Sequence, residues 1–550
     1  MPVRRQIFNQ KDRTMNNAIV IMFDSLQHNY LGCYGNDWIK TPNMDRLARE
    51  GVLFENCYVE NLPTVPCRRS MHTGCYGLHE SGWSPLKMED TTIADLCWGR
   101  PIDTALIYDC PMYRLPKFGY IRGFDKCFYT HGQELDHFFY ENDPLYHYKA
   151  EDFMEQHTID EVDKIYGNAV IGPHMNEVAS YLKQMQYWKT DEDRYVAKTI
   201  KASIKYLEQV DRNKAFFLFI DSFDPHEPWN PPSVIKQEPC PYDPDYKGKH
   251  QFLPIIGTVE GVFTEEELHH VRMLYAEDVT VCDKWLGVLL DKVRELGFEE
   301  NTLFMMVSDH GEPVGNDEHG HGIMRKCRPW PYEELAHAPM LLRAPGIKAG
   351  QRIKAFVQSC DVAPTVCEWL GIGVHPQMTG KSLLPLCRGE VEKVRDFAVA
   401  GYYKYAWCLY TEDWSYMHWL HDTKAVNAQN GCDFYMADGG VFLVENSAID
   451  ESIPNTSSES TTEFLQKQKE AKSNIDSDVH ARQQAAASLD GEEQWTCTPG
   501  SIAEVPEQDC LFDRKNDPFQ LNNVIDQYPE IARKLLLQLN DFMDSLPRKY

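Results

Sequence analysis

An α/β fold built on a buried, mostly parallel sheet is predicted by three observations. Four short apolar runs each end in an aspartate: AIVIMFD at Asp24, TALIYD at Asp109, AFFLFID at Asp221 and LFMMVSD at Asp309. Continuous apolar runs of this length suit strands covered on both faces, whereas a sheet with one wet face would show alternation. Helical patterns lie between the runs, DRYVAKTIKASIKYLEQV over 194–211 and a longer stretch from Glu265 to Leu296, and strands alternating with helices define a layered sandwich. Finally, 550 residues exceed what one simple core absorbs, so a second unit is expected.

Taken in order, the chain opens with a polar stretch, residues 1–17, which reads as an N-terminal tail ahead of the first strand. It lacks the apolar centre of roughly 7–15 residues that a secretory signal needs, and no later run approaches the roughly 20 apolar residues of a membrane span. Residues 18–390 hold the strand–helix pattern and form the expected catalytic unit. After Leu386 the pattern changes to short aromatic segments such as FAVAGYYKYAWCLYT, expected as an antiparallel sheet in a smaller C-terminal α+β unit over 391–550, closed by the helix PEIARKLLLQLNDFMDSL. Within that unit, about 438–508 is rich in Ser, Glu, Gln and Asn and poor in large apolar residues, which marks a polar insertion outside the core.

Composition narrows the function. With 43% hydrophobic residues the chain is globular. Its 55 basic and 83 acidic residues give a net charge of −28, a field that repels nucleic acid and anionic membranes, so neither is expected as a partner. A small anionic substrate then needs a locally positive pocket. The 17 cysteines are scattered and odd in number, without paired CxxC spacing, which suits a reducing compartment and a cytoplasmic location. A homo-oligomer is compatible with the sequence but not specified by it. Because open α/β sheets bind ligands beyond the carboxyl ends of their strands, four strand-end aspartates point to one site, although any one of them alone is equally well read as a turn or helix cap.

The segment Thr64-Val-Pro-Cys-Arg-Arg-Ser-Met-His-Thr-Gly74 resembles the sulfatase signature, C-x-P-S-R followed by T-G. Aligning Pro66, Arg68 and Thr73-Gly74 places Thr64 at the nucleophile position and Cys67 on the signature serine. The opening DSLQHNYLGCYGNDWIKTPNMDRLAREGVLFENCY, then DPHEPW (224–229), SDHGE (308–312), HGIMRK (321–326), DVAPTV (361–366), TGKSLLPL (379–386) and LFDRKNDPFQLNN (511–523), follow in the family's order. The chain thus resembles the sulfatase family of the alkaline phosphatase superfamily, and in particular its threonine-nucleophile phosphodiesterase and phosphonate monoester hydrolase branch. That resemblance implies an alkaline phosphatase-like α/β sandwich with a large mixed sheet.

It also implies a site. A hydroxyl is a poor nucleophile at neutral pH, and a divalent cation lowers its pKa and aims it. Asp24, Asp309 and His310 supply the oxygen and nitrogen ligands such a cation needs, with Thr64 as a further ligand. The metal is Mn, Zn, Ca or Mg, with a second ion left open. Arg68 would hold the nucleophile or a bound oxyanion, His226 would stabilise a nonbridging oxygen or protonate the leaving group, and Lys326 would neutralise the bound anion. His321 falls on the substrate side, or joins Asp221 and His226 around a second metal.

Two departures matter. Sulfatases oxidise a cysteine or serine to formylglycine, whereas a threonine cannot become that aldehyde, so the expected scheme is a covalent ester on Thr64 without formylglycine. The family's Lys-x-His pair after the strand TALI is replaced by Tyr108-Asp109-Cys110-Pro111, and a lost cation weighs most against a dianionic substrate. The expected function is therefore phosphodiester or phosphonate monoester hydrolysis, with a two-metal phosphomonoesterase or a sulfuric ester hydrolase as alternatives. A catalytically silent anion-binding or assembly protein is the reading from another class.

Overall fold

The computed structural model describes residues 16–114, 118–133, 149–166, 181–182, 184–315, 319–326, 329–420 and 506–548. An eight-stranded sheet organises the larger unit. Its strands are β1 (Asn17–Phe23), β2 (Val52–Tyr58), β3 (Ile102–Tyr108), β4 (Lys126–Tyr129), β5 (Ala215–Ser222), β6 (Thr302–Ser308), β7 (Met340–Arg343) and β8 (Gln351–Gln358). They lie in the order β8-β2-β7-β6-β1-β5-β3-β4. Every pairing is parallel except those of β7, which runs antiparallel to both neighbours. The sheet is mixed and mostly parallel, as expected.

The continuous apolar runs have a direct cause. In β1, Ile19, Ile21 and Phe23 point into one core and Ala18, Val20 and Met22 into the other, so no position along the strand meets water. The first core is covered by α1 (Pro42–Glu50), α3 (Tyr195–Gln209) and α4 (Glu265–Glu295), the second by α2 (Thr64–Thr73) and α5 (Val362–Trp369). Burying each large side chain contributes roughly 1.5–3 kcal/mol, so both layers contribute to holding the sheet between them. α4 starts at a capping box in which Thr264 and Glu267 bind each other's backbone N–H at 3.2 and 2.8 Å.

A second, four-stranded antiparallel sheet follows: β9 (Ala398–Tyr402), β10 (Ala406–Tyr410), β11 (Trp414–Trp419) and β12 (Cys510–Asp513), in that order. The final helix α6 (Pro529–Ser545) lays Leu535, Leu539 and Met543 on Val399, Leu409 and Leu511. The polar insertion expected at 438–508 lies outside the described residues except for 506–508. Among the described residues no helix is long and apolar enough to cross a membrane, and the cysteines are free thiols.

Candidate metal centre and active site

β6, β1, β5 and β3 are consecutive neighbours, so Asp309, Asp24, Asp221 and Asp109 emerge along one sheet edge. The register is level: Phe23 pairs with both Ser308 and Ser222. β2 delivers the chain to the same edge, and Thr64 begins α2 there, 3% exposed. α2 is buried along its length and stops at Gly74, whose φ of 68° lets its N–H close on Ser70 O at 2.8 Å. The Thr-Gly that closes the signature is thus a helix stop.

Asp24, Asp309 and His310 are wholly buried, and one ligand atom from each lies within 4.8 Å of the others. His310 Nδ1 lies 2.7 Å from the Gly311 carbonyl, which can only accept, so the proton sits on Nδ1. Nε2 therefore turns a lone pair toward Asp309 at 3.5 Å and Asp24 at 3.9 Å. Burial pushes the His310 pKa down to about 3, so the ring is neutral. A neutral imidazole lone pair facing two carboxylates in a buried pocket is the donor arrangement a cation takes, although both carboxylates also meet Arg68. The donor set therefore fits a divalent metal. Thr64 Oγ1 stands 3.4 Å from His310 Nε2, beside the cluster. Gly311 makes the turn possible, since a Cβ there would fall 2.0 Å from the Glu334 carbonyl oxygen.

Arg68, expected to hold the nucleophile or a bound oxyanion, joins the site beside Thr64. One turn after Thr64 on α2, its guanidinium grips Asp221 with two bonds of 2.9 and 2.8 Å, meets Asp309 at 2.6 Å and Asp24 at 2.9 Å, and reaches Thr64 O at 3.3 Å. All of these side chains are fully buried. Its donors are spent on carboxylates, so it acts as a strut that fixes the ligands. Burial raises carboxyl pKa values, but Arg68 holds Asp24 ionised well below the usual range, and the charge of Asp24 adds to burial in pushing Asp309 up. Asp221→Ala removes the two-bond grip and leaves Arg68 partly unpaired. It should destabilise the protein by about 3 kcal/mol, read as a lower midpoint in urea unfolding; an unchanged midpoint would remove the strut.

His226 and Lys326 form the opposite wall. His226 Nδ1 donates to Glu227 O at 2.6 Å, which leaves Nε2 to accept from Lys326 Nζ at 2.5 Å. Burial drives the His226 pKa down to about 4. Burial opposes the Lys326 charge too, but Glu227, Glu312 and Asp24 outweigh it and raise its pKa. Glu227, bound by Arg325 and Lys326, and the buried Glu312 were not foreseen, although each is adjacent to a motif residue. His321 is spent elsewhere: Nδ1 lies 2.9 Å from Glu334, Nε2 lies 3.2 Å from the Gln520 carbonyl, and the ring stacks on Tyr332 at 3.7 Å. The second-metal set of Asp221, His226 and His321 is not assembled, because these residues are committed to Arg68, Lys326 and Glu334 respectively. Among the described residues the Asp24 cluster is the only group placed to hold a metal. Asp109 accepts from Phe223 N at 2.6 Å, and its pKa is raised well above the usual range by burial and by Asp224.

A sandwich with a buried carboxylate–imidazole centre at its strand ends, a hydroxyl beside it and a lysine opposite is an arrangement that suits a hydrolase acting on ester bonds. The sulfatase family model matches residues 16–372, and the chain belongs to the sulfatase family of the alkaline phosphatase superfamily. It is 26% identical over 499 residues to the N-acetylglucosamine-6-O-sulfatase of Bacteroides thetaiotaomicron, covering 75% of this chain and 80% of that one. It is 26% identical over 422 residues to the arylsulfatase of Clostridium perfringens, covering 69% and 80%. The fold matches the crystal structure of the phosphonate monoester hydrolase of Agrobacterium radiobacter with a TM-score of 0.60 at 18% identity, over 96% of both chains.

These relatives correct one expectation. The chain was expected to work without formylglycine, yet the sequences it matches are named as sulfatases, enzymes whose nucleophile is a formylglycine acting beside a metal. The chemical reason lies in the leaving step, because a hydrated aldehyde expels sulfate by re-forming its carbonyl.

Proposed function

We propose that this chain hydrolyses a small, singly charged tetrahedral ester, in first place a sulfate monoester, with the attacking oxygen carried at residue 64. The carrying observation is the charge around the site. Where relatives place a Lys-x-His pair the chain has Asp109, and Arg68 is spent on carboxylates. Lys326 is then the lysine left to face the substrate's anion, a balance that suits one negative charge better than two. A divalent ion held by Asp24, Asp309 and His310 would supply Lewis-acid charge to the ester.

The chain's own groups account for orientation and protons. α2 presents residue 64 at its N-terminal end, where the helix dipole favours an anion. Attack forms a bond from that oxygen to sulfur, its proton passing to water, and breaks the bond from sulfur to the ester oxygen; water then opens the sulfated residue 64 and sulfate leaves. The departing oxygen takes its proton from the Lys326–His226 pair, whose 2.5 Å contact aligns the ammonium N–H with the ring. Lys326→Ala should therefore lower kcat by roughly 10²–10³-fold; a variant within a few-fold of wild type would remove lysine from the reaction.

Hydrolysis of a phosphonate monoester or phosphodiester is the second reading, favoured by Thr64 in the nucleophile register and by the same single charge on the substrate. The two-metal phosphomonoesterase loses support, since its second ligand set is dispersed. An inactive scaffold is disfavoured by the complete Asp24, Asp309 and His310 cluster. The test is a panel of aryl sulfate, phosphodiester, phosphonate monoester and phosphomonoester substrates with added manganese, zinc, calcium or magnesium. Sulfate should lead, with the phosphomonoester slowest. A phosphomonoester in the lead, or no turnover with any metal, would overturn the proposal.

A further inference from the structure

Beyond α3, the face of β3 and β4 at the sheet's end opens into a groove of about 1180 Å³. Its floor is apolar, formed by Ala105, Ile107 and Ala202. Its walls are aromatic: Phe128 and Tyr187, 53% and 54% exposed, with Trp188 and Tyr206. Along one face of α3 run Lys198, Lys201 and Lys205, at the three- and four-residue spacing that aligns side chains on a helix.

Most charges around the groove are already matched. Lys126 on β4 pairs with Asp103 at 2.6 Å and Lys201 with Glu192 at 2.8 Å. Asp193, the carboxylate in the lining, accepts from the backbone N–H groups of Lys189 and Thr190 at 2.8 and 3.1 Å. Lys198 and Lys205 remain, neither with a carboxylate within 4.0 Å among the described residues. Lys198 and Lys205 are exposed along the groove, and the Lys198 ammonium lies 5.7 Å from the Tyr195 ring centre. In a chain of net charge −28, three lysines on one face of α3 beside an aromatic-walled floor form a local attraction for anions, offset in part at Lys198 by Asp193 and Asp224.

We propose that this groove binds a small aromatic anion, a planar ring bearing a sulfate, sulfonate, phosphate or carboxylate group, at a site separate from the metal centre. The rings and apolar floor take the planar part while Lys198 and Lys205 take the charge. An extended polyanion does not fit this assignment, because the chain's net charge of −28 repels it.

The test uses 2-naphthalenesulfonate, which carries no ester bond to cleave, titrated calorimetrically into the full metal-loaded chain. One binding event is expected, and it should persist when Asp309→Asn disables the metal centre. The exposed-lysine variant Lys198→Glu/Lys205→Glu should weaken it by at least about tenfold with ester turnover and the unfolding midpoint unchanged, and the milder Lys198→Gln/Lys205→Gln should weaken it less. Neutral 2-naphthalenemethanol should bind more weakly than the sulfonate. Equal affinity in wild type and both lysine variants would overturn the site, as would a signal that vanishes with Asp309→Asn, or no binding at millimolar probe.

Discussion

Asp309→Asn should strip the metal and lower kcat/KM by on the order of 10³-fold or more. Asparagine keeps the size of the side chain and an oxygen that accepts from Ser25 N and His310 N, now at 3.0 and 2.9 Å, so the turn after β6 should survive. What it loses is charge. The cluster would retain Asp24 and the neutral His310, a single carboxylate for a divalent ion, and Arg68 at 2.6 Å would lose one of its three anionic partners. Elemental analysis of purified protein should find the metal content reduced in step with activity, and chelation of the wild type should reproduce the variant. A folded Asp309→Asn protein that keeps both its metal and its rate would displace the centre from this cluster.

How much of this was legible in the sequence follows from burial and chain separation. β1, β3, β5 and β6 were legible because they are neighbours in the sheet, covered on both faces, which forces unbroken apolar runs. β8 and β4 were not, because they are edge strands: QRIKAFVQ begins with alternating burial, and Lys126, Cys127 and Phe128 of β4 are exposed. β7, at four residues, is too short to stand out. In the site, Asp24, Thr64, Asp309, His310, His226 and Lys326 lie inside compact motifs, and the structure brings them to one sheet edge or its facing wall. The partnership of Arg68 with Asp221 spans 153 residues, and that of His321 with Gln520 spans 199. No local spacing encodes contacts of that length. Arg68 accordingly read as a holder of the nucleophile or a bound oxyanion while most of its donors go to carboxylates, and His321 read as a substrate residue or second-metal ligand while it ties the larger unit to the segment that follows β12.

Thr64→Ala should abolish turnover, with kcat lower by on the order of 10³-fold or more, while leaving metal content and substrate KM close to wild type. The separation of these effects follows from position. Thr64 Oγ1 lies beside His310, but the three residues that assemble the cation's donors are Asp24, Asp309 and His310, and Arg68 holds two of them through contacts that do not use the Thr64 side chain. Its backbone carbonyl, which receives Arg68 at 3.3 Å, is unchanged by the substitution. The helix should tolerate alanine, whose propensity is higher than that of threonine, so a loss of stability beyond about 1–2 kcal/mol is not expected. Thr64→Ser supplies the complementary result: it keeps an oxygen at the same place and should retain measurable turnover. Intact-mass and peptide-mass measurement of the wild type reads directly which chemical form residue 64 carries. A Thr64→Ala enzyme with a normal rate would move the attacking oxygen away from residue 64, and Arg68 would then be the residue that gives this helix its place in the site.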